Sequence, residues 1–334
     1  MFSKSKIVLE KSRAASLGAS NMFHVKHMGC VRGLPFSCFS GANPIFLQVF
    51  YKNPLILHRD MVKLKTDFAR KNFFAKVIHL AKIMAVSNQK GGVGKTTSAV
   101  NIAAALGALG KKTLLIDIDP QGNATSGVGV DRRSAKFSTY DILVNDKKAA
   151  ECIIPTEFKN LHVIPSSLDL AAAELEIVDR EKREAILKNA VLPVKAEYDY
   201  IIIDCPPSLN LVTVNALTCT DTVLIPIQCE YYALEGLAQL MNTIRRVKRT
   251  YNSYLDVEGV ILTMYDGRLL LTQQVANEVK KYFPRKVYST PIPRGVRISE
   301  APSYGKPVIY YDKSSKGAVA YMELAKEILK KERA

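Results

Sequence analysis

The strongest indication of the fold is the stretch Lys90-Gly91-Gly92-Val93-Gly94-Lys95-Thr96-Thr97. It follows an apolar run at residues 83–86 and precedes an alanine-rich segment of helical composition. Glycines let consecutive backbone N–H groups turn toward an anion, Lys95 adds a point charge, and the Thr96 hydroxyl suits Mg²⁺. This order of strand, glycine-rich loop and helix predicts a site for a nucleoside triphosphate with magnesium.

Apolar runs alternate with helical patterns over the rest of the chain. The predicted strands cover residues 83–86, 113–118, 161–164, 200–203, 222–227 and 257–262, with one helix ending at Leu109, another passing through Leu187 and a last one at residues 318–329. Continuous Ile, Val and Leu runs are typical of strands covered on both faces. We therefore predict an α/β fold of the P-loop NTPase type, with a single doubly wound, mostly parallel sheet flanked by helices over residues 80–334.

Composition limits the class of protein. Of the 334 residues, 48% are hydrophobic, yet no apolar run approaches the roughly 18 residues of a membrane span. We expect a soluble protein. The six cysteines form no CxxC pair, which favours a reducing cytosol over a disulfide framework. Cys205 is predicted to be a small buried residue rather than a nucleophile.

The positive charge is unevenly distributed. Of the net +16, residues 1–80 contribute +10, residues 81–234 contribute −2, and residues 235–334 contribute +8. The part that contains the glycine-rich loop is therefore close to neutral, while the part that follows it is basic. A basic half predicts a polyanionic partner.

Three carboxylates follow predicted strands. Asp117 and Asp119 come at the end of the run Leu114-Leu115-Ile116-Asp117-Ile118-Asp119-Pro120, and Asp204 ends the run Tyr200-Ile201-Ile202-Ile203-Asp204. Parallel α/β sheets bind ligands at the carboxyl ends of their strands, and a carboxylate ending a buried strand holds Mg²⁺ in P-loop enzymes. Alternation along the strand predicts that Asp117 and Asp119 point to the same face.

Three segments carry a family resemblance. Gln89 stands where the general P-loop pattern has a glycine, and Lys90 is an additional lysine, so the loop resembles the deviant Walker A motif of the ParA and MinD ATPases. The block Asp117–Gly127 and the run Asp204-Cys205-Pro206-Pro207-Ser208 resemble those of chromosomal-type, Soj-like ParA proteins. The resemblance extends from about residue 82 to 329. It implies a slow ATP hydrolase with ATP and Mg²⁺ as cofactors.

The resemblance also implies residue roles. The nucleotide is contacted by Gly91, Gly92, Val93, Gly94, Lys95, Thr96 and Thr97. The Mg²⁺ site is formed by Thr96, Asp117 and Asp204. In a homodimer, Lys90 of each protomer reaches the other's ATP. Asp119 positions the attacking water, which makes Lys90, Lys95 and Asp119 the catalytic residues. Residues 121–127 and 206–208 act as switches. Pro291 and Pro293 lie near the adenine, and Arg268 and Arg297 lie on a DNA-binding surface.

The implied partners are a second copy of the chain, non-specific double-stranded DNA and a ParB-type centromere-binding protein that stimulates hydrolysis. The implied location is the bacterial cytoplasm, in association with the nucleoid, and the implied process is the segregation of chromosome or plasmid DNA. One alternative is a MinD-like membrane-positioning ATPase, but residues 330–334 are too few for an amphipathic membrane helix. Another is an iron–sulfur carrier, but no two cysteines have ligand spacing.

Residues 1–79 show no sustained periodicity and form a predicted extension outside the ATPase domain, disordered or an artefact of the gene start. A transit peptide poor in acidic residues is one interpretation. Translated regulatory DNA is the other, because Met22-Phe23-His24-Val25-Lys26-His27 can be encoded by ATG-TTT-CAC-GTG-AAA-CAT. This sequence is its own reverse complement, and its core resembles the parS site that ParB binds. The functional start would then be near Val77 or Leu80.

Overall fold

The computed structural model of the chain describes residues 80–230 and 233–332. The two interpretations of residues 1–79 concern positions outside the described residues. Within the described part, no helix combines the length and apolar composition needed to cross a lipid bilayer.

The described residues form a seven-stranded sheet. Its strands are β1 Lys82–Val86, β2 Thr113–Asp117, β3 Ile154–Pro155, β4 Leu161–Ile164, β5 Tyr200–Asp204, β6 Thr222–Gln228 and β7 Asp256–Thr263. The spatial order is β3-β4-β2-β5-β1-β6-β7. All neighbours pair in parallel except β3 and β4, which pair antiparallel at one edge. The predicted doubly wound, mostly parallel sheet is confirmed.

Each strand supplies side chains to two hydrophobic clusters, because successive residues of a strand point to opposite faces. In β5, Ile201 and Ile203 belong to one cluster, whereas Tyr200 and Ile202 belong to the other. All of these side chains are at most 2% exposed. The sheet is therefore buried on both faces, which explains the uninterrupted apolar runs in its sequence.

Helices cover both faces. They are α1 Lys95–Ala108, α2 Asn123–Gly127, α3 Thr139–Val144, α4 Ala149–Cys152, α5 Ala173–Ile177, α6 Ile186–Val191, α7 Leu211–Cys219, α8 Ala233–Thr250, α9 Leu270–Tyr282, α10 Val296–Glu300, α11 Val308–Tyr311 and α12 Lys316–Lys331. The helices α1 and α12 contribute to the cluster that contains Tyr200, and α3, α6, α7, α8 and α9 contribute to the opposite cluster.

The first helix ends within one residue of its predicted end at Leu109. Six consecutive small or aliphatic residues, 102–107, are fully buried in α1, and alanine has the highest helix propensity. The chain leaves the helix at Gly110, whose φ of 87° lies in the left-handed region where glycine is favoured.

The segment between β4 and β5 differs from the single helix predicted through Leu187. It consists of α5, α6 and short 3₁₀ turns at Leu168–Ala171, Arg183–Ala185 and Leu192–Glu197. Arg180 leaves the helical path and donates hydrogen bonds to the carbonyls of Leu143 and Val144 at the end of α3. Contacts with neighbouring helices therefore replace the local hydrogen bonds that a continuous helix needs.

Candidate nucleotide-binding site

The glycine-rich loop lies at the carboxyl end of β1, in the middle of the sheet. Gly92 and Gly94 have φ values of 73° and 83°, in the left-handed region that other residues adopt at a cost. Gly94 is also the residue from which α1 begins. The loop is fixed to β7, because the Thr263 hydroxyl donates a hydrogen bond of 2.8 Å to the Val93 carbonyl.

Asn88 holds the start of the loop. Its Nδ2 donates to the carbonyl of Pro226 in β6 at 2.8 Å, and its Oδ1 accepts from the backbone N–H of Lys90 at 3.1 Å. The Lys90 side chain forms an ion pair with Glu230 of the same chain, with Nζ and Oε2 3.3 Å apart. Both side chains are partly exposed, so this pair contributes little to stability.

Lys95 lies inside the loop and is nearly buried. Its Nζ donates to the Lys90 carbonyl at 3.0 Å. Burial lowers the pKa of Lys95, and the nearby carboxylates of Asp204 and Asp119 act in the opposite direction. A cation that is held partly out of water and beside backbone N–H groups suits an anionic phosphate.

Two of the predicted carboxylates meet at the carboxyl edge of the sheet. β5 lies between β1 and β2, and its Asp204 pairs in register with both Val86 and Asp117. Asp117 and Asp204 are both 0% exposed. Burial raises the pKa of both carboxyls, and each is raised further by the negative charge of nearby aspartates.

Asp204 has the features of a cation ligand. Among the described residues, neither of its carboxylate oxygens has a hydrogen-bond partner. The Thr96 hydroxyl lies close enough to lower the pKa of Asp204, although it does not meet the geometry of a hydrogen bond. Burial raises this pKa, and the effect of burial is the larger. A buried charge without a partner is costly. Mg²⁺ beside phosphates takes one or two carboxylates as ligands, so Asp204 and Thr96 fit this ion.

Asp117, in contrast, is fully hydrogen-bonded. Its Oδ1 accepts from the backbone N–H of Asp119 at 3.1 Å, and its Oδ2 accepts from both the N–H and the hydroxyl of Thr125 at 2.8 and 2.7 Å. The same hydroxyl accepts from the N–H of Ser166 at 3.0 Å. Asp117 therefore fixes the segment after β2 to the segment after β4, beside Asp204 on the neighbouring strand.

Asp119 is placed by a turn and not by the strand, since β2 ends at Asp117. Its Oδ1 accepts from the N–H of Gln121, and its carbonyl accepts from the Ser166 hydroxyl at 2.6 Å. The carboxylate is only half-buried. The two aspartates therefore have different surroundings, although strand alternation assigned them to one face.

The segment Pro291-Ile292-Pro293-Arg294 lies beside the end of β7. Ile292 donates to the Leu262 carbonyl at 2.8 Å and accepts from the N–H of Tyr265 at 2.9 Å. Because Thr263 of the same strand contacts the glycine-rich loop, Pro291 and Pro293 lie on the same edge of the sheet as the loop. Their contact with the adenine stays a prediction.

The two predicted DNA-binding arginines are on the surface. The Arg268 side chain is 89% exposed and donates from Nε and Nη2 to the two carboxylate oxygens of Asp266 at 2.9 and 2.6 Å. Arg297 pairs with Glu300 at 2.9 Å and with Asp312 at 3.5 Å. Both guanidinium groups have hydrogen-bond partners and remain open to solvent.

Several residues of the site were not predicted from the sequence. They are Asn88, Thr125, Ser166 and Thr263, which position the loop and the carboxylates. Each acts through contacts between segments that are distant in sequence, and only Thr125 lies within a stretch that the resemblance had identified. Cys205 is buried as predicted, and burial raises the pKa of its thiol.

Comparison with known proteins agrees with this geometry. The family model of the AAA domain matches residues 81–257. The chain is 58% identical over 249 residues to the sporulation initiation inhibitor protein Soj of Bacillus subtilis. This match covers 75% of this chain and 98% of the relative. It is 51% identical over 253 residues to the chromosome partitioning protein ParA of Myxococcus xanthus, covering 76% of this chain and 89% of that protein.

Among solved structures, cobyrinic acid a,c-diamide synthase from Mycobacterium smegmatis, with bound ATP analogue and magnesium, has a TM-score of 0.67 and 35% identity. The similarity covers 76% of this chain and 97% of that one. The fold, the glycine-rich loop and the relatives that match almost over their full length lead to one conclusion. The chain belongs to the Soj/ParA family of chromosome partitioning ATPases, which confirms the resemblance found in its motifs.

Proposed function

We propose that the chain binds ATP with Mg²⁺, dimerises on ATP, binds duplex DNA without sequence preference, and hydrolyses ATP when a ParB-type partner stimulates it. This cycle would segregate chromosome or plasmid DNA. The family membership supports the enzyme class. The parts that rest on this proposal are dimerisation, DNA binding, association with the nucleoid and stimulation by a ParB-type partner.

The observation that best supports nucleotide binding is the buried Asp204 carboxylate, which has no hydrogen-bond partner in the described part of the chain and lies next to the Lys90–Thr97 loop. Such a group is retained at a cost in stability when a ligand compensates it. Mg²⁺, when bound, neutralises part of the triphosphate charge. Asp204 and Thr96 hold the ion, Asp117 supports them, and the loop N–H groups with Lys95 hold the phosphates.

Hydrolysis then depends on positioning and electrostatics, because phosphoryl transfer to water requires little covalent participation by the protein. In the proposed reaction Asp119 orients the attacking water. Its half-buried carboxylate lies in the turn after β2, and the Ser166 hydroxyl holds this turn by donating to the Asp119 carbonyl. Lys95 stabilises charge on the phosphates.

Dimerisation requires Lys90 to leave Glu230 of its own chain and to reach the partner's nucleotide. The partial exposure of Lys90 and Glu230 supports this step, since an exposed ion pair is worth only about 0–1 kcal/mol. The net charge of +8 in residues 235–334 supports DNA as the polyanionic partner.

The test is binding of the full chain to a random-sequence duplex with ADP, ATP or a slowly hydrolysed analogue, across a salt series. Tight binding only with the triphosphate, falling steeply with salt, is the expected result. Residues 1–80 carry a net charge of +10, so the ADP sample measures their nucleotide-independent contribution. Lys95→Ala is the matched control and is expected to behave as the ADP sample does.

Equal DNA binding with ADP and ATP would contradict the proposal. The same preparations are then measured on anionic liposomes, because a MinD-like membrane-positioning ATPase predicts ATP-dependent lipid binding instead. Light scattering of the protein with each nucleotide, in the absence of DNA and liposomes, measures dimer formation separately.

A further inference from the structure

The hydroxyl of Ser166 is fully buried and lies against the backbone of the residue that we expect to orient the attacking water. Ser166 is 0% exposed, and its Oγ donates a hydrogen bond of 2.6 Å to the Asp119 carbonyl. The same carbonyl accepts from the backbone N–H of Gly122 at 2.9 Å. Asp119 is therefore held from two sides, by the turn that it begins and by the segment after β4.

The backbone around Ser166 is itself fixed by buried hydrogen bonds. The Ser166 N–H donates to the Thr125 hydroxyl, which donates in turn to Asp117. The carbonyl of Pro165 accepts from the backbone N–H of Thr139 at 2.8 Å, and the Thr139 hydroxyl donates to the Asp117 carbonyl at 2.7 Å. Thr125 and Thr139 are also 0% exposed. The Ser166 hydroxyl therefore projects from a fixed position.

The bond from Ser166 differs from the other hydrogen bonds of Asp119. Its N–H donates to Asp117, and its Oδ1 and carbonyl accept from the N–H groups of Gln121 and Gly122. These bonds stay within six consecutive residues, so they fix the shape of the turn but not its place relative to the glycine-rich loop. In the described part of the chain, only the Ser166 hydroxyl joins Asp119 to a distant segment by a hydrogen bond.

We propose that Ser166 is a positioning residue for hydrolysis, which places the Asp119 carboxylate against the attacking water by holding the Asp119 backbone. The rate is sensitive to such placement, because a displacement of about 1 Å can cost about a hundredfold. Among the described residues, no hydrogen bond of Ser166 reaches the Lys90–Thr97 loop or Asp204. Its hydroxyl is therefore expected to affect the rate of hydrolysis and not the affinity for ATP. This inference rests on the proposed function.

The experiment measures single-turnover phosphate release from ATP with Mg²⁺ by the full chain, and the affinity for a slowly hydrolysed analogue by calorimetry. Ser166→Ala is expected to lower the rate by about threefold to tenfold, as the loss of one neutral hydrogen bond in the transition state, with unchanged affinity. Ser166→Cys has nearly the same shape and a weaker donor, so its rate is expected to lie between those of Ser166→Ala and the wild type.

The matched control is the same chemical change at the next residue. The Ser167 side chain is half-buried, and its Oγ accepts a hydrogen bond from Ser138 at 3.3 Å. This bond does not involve Asp119. Ser167→Ala is therefore expected to hydrolyse ATP at the wild-type rate.

A double variant distinguishes positioning from a purely structural role. If Ser166 acts through Asp119, Ser166→Ala makes no further difference to the residual rate of Asp119→Ala, because no carboxylate remains to be placed. If Ser166 only stabilises the fold around the site, the second substitution lowers the residual rate again.

A wild-type rate in Ser166→Ala would overturn the inference while leaving the proposed function intact. So would a loss of affinity for the analogue as large as the loss of rate, or a further fall in the double variant. Absence of ATP hydrolysis by the wild type would remove both proposals. Thermal melting of each variant verifies that it is folded, and the rate of Ser166→Cys decides the question if Ser166→Ala does not fold.

Discussion

Replacing Asp204 by asparagine is expected to stabilise the protein in the absence of nucleotide. Asp204 is 0% exposed and its oxygens have no hydrogen-bond partner among the described residues, so an ionised carboxylate there lacks compensation. Burial and the nearby Asp117 raise its pKa well above the ordinary value. Asparagine keeps the shape of the side chain and removes the charge.

The expected gain in the free energy of unfolding follows from the difference between a buried amide and a buried carboxylate. An unsatisfied neutral amide costs about 1–3 kcal/mol and an unsatisfied charged group costs more, so the gain is about 2 kcal/mol. For a domain of this size that corresponds to a rise in Tm of roughly 4–8 °C. Since the folded-state pKa is raised, the wild type loses stability as the pH rises through that pKa. The advantage of Asp204→Asn therefore grows from pH 5 to pH 8.

The assay is thermal melting at both pH values, with and without ATP and Mg²⁺. With the ligands present the order is expected to reverse, because only the wild type retains the metal ligand and gains stability by binding. Asp117→Asn is the matched control, with the same chemical change on the neighbouring strand. Asp117 accepts three hydrogen bonds, so its variant is expected to be destabilised.

A lower Tm for Asp204→Asn than for the wild type at pH 8 without nucleotide would refute the reasoning. So would an equal gain of stability from ATP and Mg²⁺ in both proteins.

Three further substitutions test the site. Lys95→Ala is expected to abolish nucleotide binding, because it removes the cation of the loop; calorimetric titration with ATP measures this, and retained binding contradicts it. Asp119→Ala is expected to accumulate an ATP-bound dimer with greatly reduced turnover, so normal phosphate release would remove its role. Thr125→Val is expected to lower stability by about 2–3 kcal/mol, since it removes a hydrogen bond to a carboxylate and leaves the Ser166 N–H unpaired; an unchanged urea midpoint contradicts this.

The sheet could be predicted because each of its long strands can be recognised from a short, continuous stretch of sequence. Strands buried on both faces are continuous apolar runs. β4 has the predicted bounds, β1, β2, β5 and β6 differ by one residue at one end, and β7 is longer by one residue at each end. The region between β4 and β5 could not be predicted in the same way. There Arg180 binds the end of α3, and Asn215 of α7 accepts from the N–H of Leu187, so distant contacts decide where the chain turns.

The residues of the candidate site divide in the same way, into those that a short stretch of sequence predicts and those that depend on distant contacts. The loop, Asp117 and Asp204 occur at strand ends, and strand ends can be located from sequence. The different environments of Asp117 and Asp204 could not be anticipated, because they depend on where Thr125 is placed. Asp117 is fully hydrogen-bonded, while Asp204 has no hydrogen-bond partner among the described residues. This difference is the reason why we propose Asp204 as the metal ligand and Asp117 as its support.

The hydrogen bond between Thr263 and Val93 has a thermodynamic consequence. Thr263 ends β7, and the chain continues directly to Arg268, so one short segment contacts the phosphate loop at one end and carries a predicted DNA-binding arginine at the other. Coupling between two binding sites is reciprocal. Whatever factor the triphosphate adds to the affinity for DNA, DNA adds the same factor to the affinity for the triphosphate. DNA would then act as an effector that prolongs nucleotide occupancy as well as the surface on which the protein moves.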